Sequence, residues 1–233
     1  MRPVVYFQTL YPKHINHRRS LDNTIDLIKG WMDKGIVDLK GRIGSAHEYG
    51  MIKADEKIQE LFPGIDFTFK FIPFKKNKQM LERRGHEISF CKQTLMKQAS
   101  KYPSNACLLF IDSDIYISFR DILKYREKML RHKKAFIQFP YVMRDTMTTP
   151  PNQLGAFMIP VSCITRDHIK CLYAIKKDTF GNIYRKGAPD CRLIKQFKQD
   201  GLKKITANDI TSYHYCREHV SIYNKGKKTR EKR

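Results

Sequence analysis

The apolar run Cys107-Leu-Leu-Phe-Ile ends in Asp112-Ser-Asp114, so a strand that must be buried delivers two carboxylates, one residue apart, to its exit. A divalent cation of the Mg or Mn type takes hard oxygen ligands and keeps positions open for phosphate oxygens. Carboxylates on a rigid strand end suit it. The same tripeptide also makes a plain turn, because Asp and Ser bond nearby backbone groups. Short motifs match by chance often enough that the rest of the chain must decide.

Val4-Val-Tyr-Phe-Gln-Thr9 reads as a buried first strand, and Ser20 as the N-cap of a helix carrying Leu21, Ile25, Ile28, Trp31 and Met32 up to Gly35. A second strand is expected over 36–43, a short helix over 52–61 and a third strand at Phe67-Thr-Phe-Lys-Phe-Ile. Ile88, Cys91, Leu95 and Ala99 share one face of a helix over 85–100 that feeds the Asp112-Ser-Asp114 strand. Ser118 and Asp121 form a capping-box pattern, and Ala135-Phe-Ile-Gln-Phe is the next strand. Strands alternating with helices of this length predict an α/β fold with a largely parallel sheet. Ligands of such sheets gather beyond the carboxyl ends of the strands, where Asp112 and Asp114 fall. The turn reading loses ground.

In the second half, Leu154-Gly-Ala-Phe-Met-Ile159 is an apolar run with small residues, and Thr165 caps a helix with Ile169, Leu172 and Tyr173. Gly187-Ala-Pro189-Asp190 opens another helix, with proline suited to its first turn and Leu193, Ile194 and Phe197 as its apolar face up to Gly201. Asp190 in that first turn interacts well with the helix dipole, which is its structural role. His214 lies on a strand or loop near the end of the folded part.

The 233 residues, 41% hydrophobic, suffice for one sizeable domain, expected over 1–220. Lys and Arg number 45 against 23 Asp and Glu, and the net charge of +22 favours phosphate-rich partners: nucleic acid, anionic lipid or a nucleotide donor. Six cysteines without a Cys-x-x-Cys pair read as reduced and structural. Neither a signal peptide nor an apolar stretch near the ~20 residues of a membrane span is visible, so a cytoplasmic protein, peripheral to a membrane at most, is expected. Residues 221–233 lack apolar periodicity and read as a disordered basic tail that draws the protein to an anionic membrane.

Taken together, these pieces resemble a GT-A fold glycosyltransferase of the DxD type, similar to the large inverting family of nucleotide-sugar-dependent enzymes. The resemblance covers most of residues 3–216. It rests on the first strand to Thr9, on Leu108-Leu-Phe-Ile-Asp112-Ser-Asp114-Ile, on Leu154-Gly-Ala-Phe-Met-Ile, and on the spaced set Gly187-Ala-Pro-Asp190, Leu193, Gly201-Leu-Lys-Lys-Ile205, Asp209 and His214-Tyr. Glu82-Arg83-Arg84, the helix after it and the Asp112-Ser-Asp114-Ile strand together also look like the mannosyltransferases that build fungal mannan. The sequence departs from that pattern at Cys91-Lys92-Gln93, where an Arg-Asn pair is usual, and lacks the acidic pair usual after the second strand.

The resemblance implies a Rossmann-like three-layer αβα sandwich with a mostly parallel central sheet. It implies a hexosyltransferase that takes a sugar from a UDP- or GDP-sugar to a hydroxyl of a glycan, lipid-linked or protein acceptor, with Mn2+ or Mg2+ as cofactor. Asp114 and His214 are then expected as metal ligands, and Asp112 as a metal or donor-ribose contact. Thr9, Arg83, Arg84 and Lys92 become candidate donor contacts, and Asp190 the base that takes the acceptor's proton, with Asp167 behind it. Residues 144–153, rich in Thr and Pro, are a candidate closing loop. The competing classes are a nucleotidyltransferase of similar fold, which would release pyrophosphate, and a basic nucleic-acid-binding protein, disfavoured because no recognition motif for RNA or DNA is present.

Overall fold

A computed structural model describes residues 5–10, 22, 25, 26, 29, 30, 39–45, 56, 57, 59–63, 67–71, 74, 78–80, 83–112, 114–132, 134–143, 147–149, 152, 154–215 and 219–232. Its strands are β1 (Val5–Leu10), β2 (Leu39–Ser45), β3 (Phe67–Phe71), β4 (Cys107–Ile111), β5 (Ile115–Ile117), β6 (Ala135–Gln138) and β7 (Ala156–Pro160). There follow β8 (Ile175–Lys177), β9 (Ile183–Arg185), β10 (Lys203–Thr206), β11 (Thr211–Tyr215), β12 (His219–Asn224) and β13 (Lys227–Lys232). The longer helices are α1 (Arg83–Ala99), α2 (Phe119–Arg131), α3 (Arg166–Leu172) and α4 (Pro189–Gln199). Shorter helical pieces include residues from both N-terminal helices expected from the sequence.

Seven strands form the central sheet in the order β10-β6-β7-β4-β1-β2-β3. The mostly parallel sheet expected from the sequence is a mixed one, because β7 runs antiparallel to both β4 and β6. Its other pairings are parallel. Strand-helix alternation does not signal β7, since antiparallel neighbours need no helical crossover and no helix stands between β6 and β7 among the described residues.

Alternate residues of β4, β6 and β7 serve opposite layers. Leu108, Phe110, Phe136, Phe157 and Ile159 pack with Cys91 and Leu95 of α1, Leu172 of α3, and Leu193 and Phe197 of α4. Leu109, Ile111, Ile137 and Met158 pack on the other side with Ile122, Tyr125 and Met129 of α2. The apolar periodicity of α1, α2 and α4 therefore faces the sheet, as read from the sequence. Ser118 caps α2 as expected, its Oγ accepting from the Asp121 N–H at 3.2 Å. Thr165 caps α3 with a variant of the box: the His168 Nδ1 accepts from the Thr165 N–H, where Glu is usual.

A second sheet, wholly antiparallel, has the order β13-β12-β11-β5. It corrects the expectation of a disordered tail over 221–233. Residues 219–232 form a hairpin whose two-residue turn, Lys225-Gly226, has both φ angles positive (46° and 92°), the geometry that matches strand twist. Tyr223 on β12 is buried and its hydroxyl donates to the Asn208 carbonyl at 3.0 Å. All of β13 is exposed, and its backbone pairs along the whole of β12. Among the described residues the five cysteines present are free; Cys91 and Cys107 are buried, whereas Cys191 is exposed.

Candidate active site

β4 ends at Ile111, and the Asp112 N–H donates to the Gly155 carbonyl at 2.6 Å, at the start of the antiparallel neighbour β7. The Ile115 N–H then closes a turn onto the Asp112 carbonyl at 3.0 Å, and the Tyr215 N–H of β11 donates to the Asp114 carbonyl at 2.9 Å. Asp112 and Asp114 therefore flank one turn, and both carboxylates stand on it. This pinning comes from two sheets at once.

Lys92 reaches this turn from α1, passing 5.3 Å above the centre of the Phe110 ring. Its Nζ lies 3.3 Å from Asp112 Oδ1 and 3.6 Å from Asp190 Oδ1. Asp190, in the first turn of α4, also accepts the Leu154 N–H at 3.0 Å through Oδ2. Burial acts to lower the Lys92 pKa, but the charges of Asp112 and Asp190 overcome it and hold the ammonium above the ordinary lysine value. Burial raises the Asp112 carboxyl to about 6; Lys92 opposes the rise, and Asp114 and Asp190 add to it. Water at the 29% of the Asp112 side chain that stays exposed offsets part of that rise.

His214 enters from β11. Its Nδ1 lies 2.8 Å from the Val142 carbonyl, which only accepts, so Nδ1 carries the proton. That leaves Nε2 facing Asp114 Oδ2 at 3.5 Å. Holding one imidazole nitrogen on a backbone carbonyl and presenting the other is the way metal-binding histidines are oriented. The Tyr141 ring stands edge-on to His214 with centroids 5.2 Å apart. Burial first, then Asp112, Asp190 and Asp114, keep its phenol protonated well above its ordinary pKa.

The sequence-predicted residues thus fall into two adjoining groups. Lys92, Asp112 and Asp190 form one, and Asp114 with His214 the other. For a divalent ion the second group fits as a two-donor grip with other positions left to water or ligand oxygens. Among the described residues no cluster of three or more His, Cys, Asp or Glu side chains forms a metal site, since Asp112 turns to Lys92 instead. Asp167 lies elsewhere, on the surface at the start of α3, 3.7 Å from Lys170. Thr9, Arg83 and Arg84 belong to β1 and α1, but their side chains lie outside the described residues. Of the candidate loop at 144–153, only 147–149 and 152 are described, with the Met143 N–H bonded to the Thr148 carbonyl at 2.8 Å.

Three contributors escaped the sequence reading. A Cβ at Gly155 would lie 2.4 Å from Tyr141 Oη and 2.9 Å from Asp112 Oδ2, so the absence of a side chain there lets both approach. Tyr141 lies in a stretch with no periodic signal. Arg192, one turn into α4, donates to the carbonyls of Cys171 and Leu172 at 2.6 and 2.9 Å, to that of Gly187 at 2.6 Å, and to that of Lys186. It fixes the chain's entry to Asp190.

No protein-family model matches the chain, and no curated protein matches it. Among solved structures, the apo-form glycosyltransferase GlyE of Streptococcus pneumoniae TIGR4 matches with a TM-score of 0.50 at 11% identity, over 89% of this chain and 46% of GlyE. A glycosyltransferase involved in glycosylation of the major capsid of PBCV-1 matches at 0.47 and 12% identity, over 88% of this chain and 82% of that one. S. aureus TarS 1-349 in complex with UDP-GlcNAc matches at 0.47 and 9% identity, over 68% of this chain and 46% of TarS 1-349. The chain thus spans under half the length of GlyE and of TarS 1-349. The likeness to GlyE is one of fold: this chain has the fold of a glycosyltransferase.

Proposed function

We propose that the chain is a GT-A, DxD-type glycosyltransferase that moves a hexose from a UDP- or GDP-sugar to an acceptor hydroxyl, with inversion. The observation that carries this reading is the meeting of Lys92, Asp112 and Asp190 beside Asp114 and His214 at the carboxyl end of β4. These groups come from α1, the β4–β5 turn, α4 and β11, and the fold is shared with GlyE.

Asp114 Oδ2 and His214 Nε2 would hold Mn2+ or Mg2+, which when bound supplies Lewis-acid stabilisation of charge on the leaving diphosphate. The chain's own groups have separate work. Asp190 accepts the acceptor hydroxyl's proton; its Oδ2 is held by the Leu154 N–H, and Arg192 fixes the loop before it. Lys92 keeps Asp112 and Asp190 from repelling one another and places positive potential beside the diphosphate site. Asp112 orients Lys92 and turns its exposed portion to the donor's ribose. Thr9, Arg83 and Arg84 remain candidate donor contacts by position in β1 and α1.

A thermal-shift series with UDP, GDP, CDP, ADP and TDP, each with and without Mn2+, tests the reading. A ligand that binds only the native state raises its melting temperature by mass action. One diphosphate should stabilise the protein when metal is present, and Asp114→Ala should lose the shift. Stabilisation by no nucleotide, or one unchanged in Asp114→Ala, would remove the transferase assignment or the metal grip respectively.

A further inference from the structure

Among the described residues the most exposed large apolar side chain is Phe180, 88% exposed at the tip of the β8–β9 hairpin. The tip is tightly built. The Asp178 carboxylate accepts from the N–H groups of Phe180 and Asn182 at 3.0 and 2.8 Å, from the Asn182 side-chain amide at 3.0 Å and from the Tyr184 hydroxyl at 2.9 Å. Gly181, at φ 79°, donates its N–H to the Asp178 carbonyl at 3.1 Å, and the Asp178 N–H returns to the Asn182 carbonyl at 3.1 Å. The buried Ile183, at the tip end of the ladder, bonds the Gln79 carbonyl through its N–H at 2.9 Å, which ties that end of the hairpin to residues 79 and 80. A looser turn would let the ring fold back onto apolar surface, but these bonds hold it in water.

The tip holds the Asp178 carboxylate, but the strands behind it and the base of the hairpin are cationic. Lys176, Lys177 and Lys186 are exposed, and Ile175, 44% exposed, pairs across the ladder with Arg185. A protein partner would need a contact surface of roughly 800 Å² around such an anchor, and lysine is depleted in such surfaces. One projecting aromatic ring at the tip of a hairpin that carries exposed lysines along its strands matches instead the interface of an anionic bilayer, where aromatic rings sit at headgroup depth and cations meet lipid charge. The net charge of +22 adds long-range attraction of the same sign.

We propose that the β8–β9 hairpin docks the protein on an anionic lipid bilayer, with Phe180 inserted among the headgroups and Lys176, Lys177 and Lys186 against their phosphates and carboxylates. This places membrane contact on a rigid hairpin rather than on residues 221–233. The docking stands apart from the proposed activity, but its bearing on a lipid-linked acceptor rests on it: Asp190 follows Lys186 by four residues, and Arg192 ties the two together.

Co-sedimentation of the full chain with phosphatidylcholine vesicles, with and without phosphatidylserine, tests it. Wild type should bind only the phosphatidylserine vesicles. Phe180→Ala should weaken binding about tenfold or more, and the triple change of Lys176, Lys177 and Lys186 to Gln by about two orders of magnitude at low salt. Both variants should keep the wild-type melting temperature and nucleotide response, which separates a failure of docking from a failure of the transferase reading. Equal vesicle binding by Phe180→Ala would overturn the proposal. So would an oligonucleotide affinity that falls in Phe180→Ala while vesicle binding does not, because stacking on single-stranded nucleic acid would then be the ring's role.

Discussion

Lys92 is the buried cation that keeps two carboxylates together, 20 and 98 residues further along the chain. Removing one partner of such a buried cluster costs more than the cluster is worth as a whole, because uncompensated charge stays behind. Lys92→Met should lose about 3 kcal/mol in denaturant unfolding, and adding Asp190→Asn should return part of it; additive losses would show that the two do not interact. Gly155→Ala puts a methyl against Tyr141 Oη and Asp112. A loss of about 1–3 kcal/mol is expected, relieved in part by Tyr141→Phe, which removes the nearest atom. Full stability of Gly155→Ala would mean that the close approach is not required. Asp112, Asp114, Asp190 and His214 were legible as candidates because each lies beside a local signal: a strand exit, a proline-opened helix, an isolated ring near a strand. The bridging role of Lys92 was not, since only tertiary packing brings its side chain over Phe110 and its Nζ between two carboxylates.

At the level of elements, α2 is tied to the segment before β11 by Asp209, whose carboxylate accepts from Lys124 and from the Tyr125 hydroxyl. These hydrogen bonds lower its pKa to about 2, with Lys124 first among the causes. A carboxylate depressed in the folded state contributes stability above its unfolded pKa, near 3.8, and loses it as pH falls through about 2. About half of the Asp209 side chain is exposed, so solvent screening keeps the contribution below about 1 kcal/mol. Asp209→Asn should therefore be slightly less stable at pH 7, and the difference should shrink below pH 3.8 and vanish as pH falls through about 2; a difference constant across that range would assign the effect to packing. Helices with apolar stripes and caps were readable from residues three and four apart. The β12–β13 hairpin was not, because β13 buries no side chain and so writes no alternation into the sequence, and its main cue was Gly226 after Lys225.

Across the whole molecule, the seven-stranded sheet brings β4 and β7 together at the end where α4 starts, while β5 and β11 brace the same turn from a second sheet. Alternation of strands and helices made the α/β class legible, but the antiparallel insertion of β7 depends on pairing between Cys107–Ile111 and Ala156–Pro160, about 50 residues apart, which no local pattern encodes. The charge of +22 indicated anionic partners without locating them, because lysines on any solvated face look alike in sequence. The most direct test of the transferase reading is nucleoside-diphosphate release from UDP- and GDP-sugars, measured for wild type, Asp114→Ala and Asp190→Asn with Mn2+ present. Release from one donor by wild type is expected, lowered at least about a hundredfold in each variant, in keeping with the loss of a positioned base or of charge stabilisation. No release from any nucleotide sugar, or release of pyrophosphate from a nucleoside triphosphate instead, would contradict it.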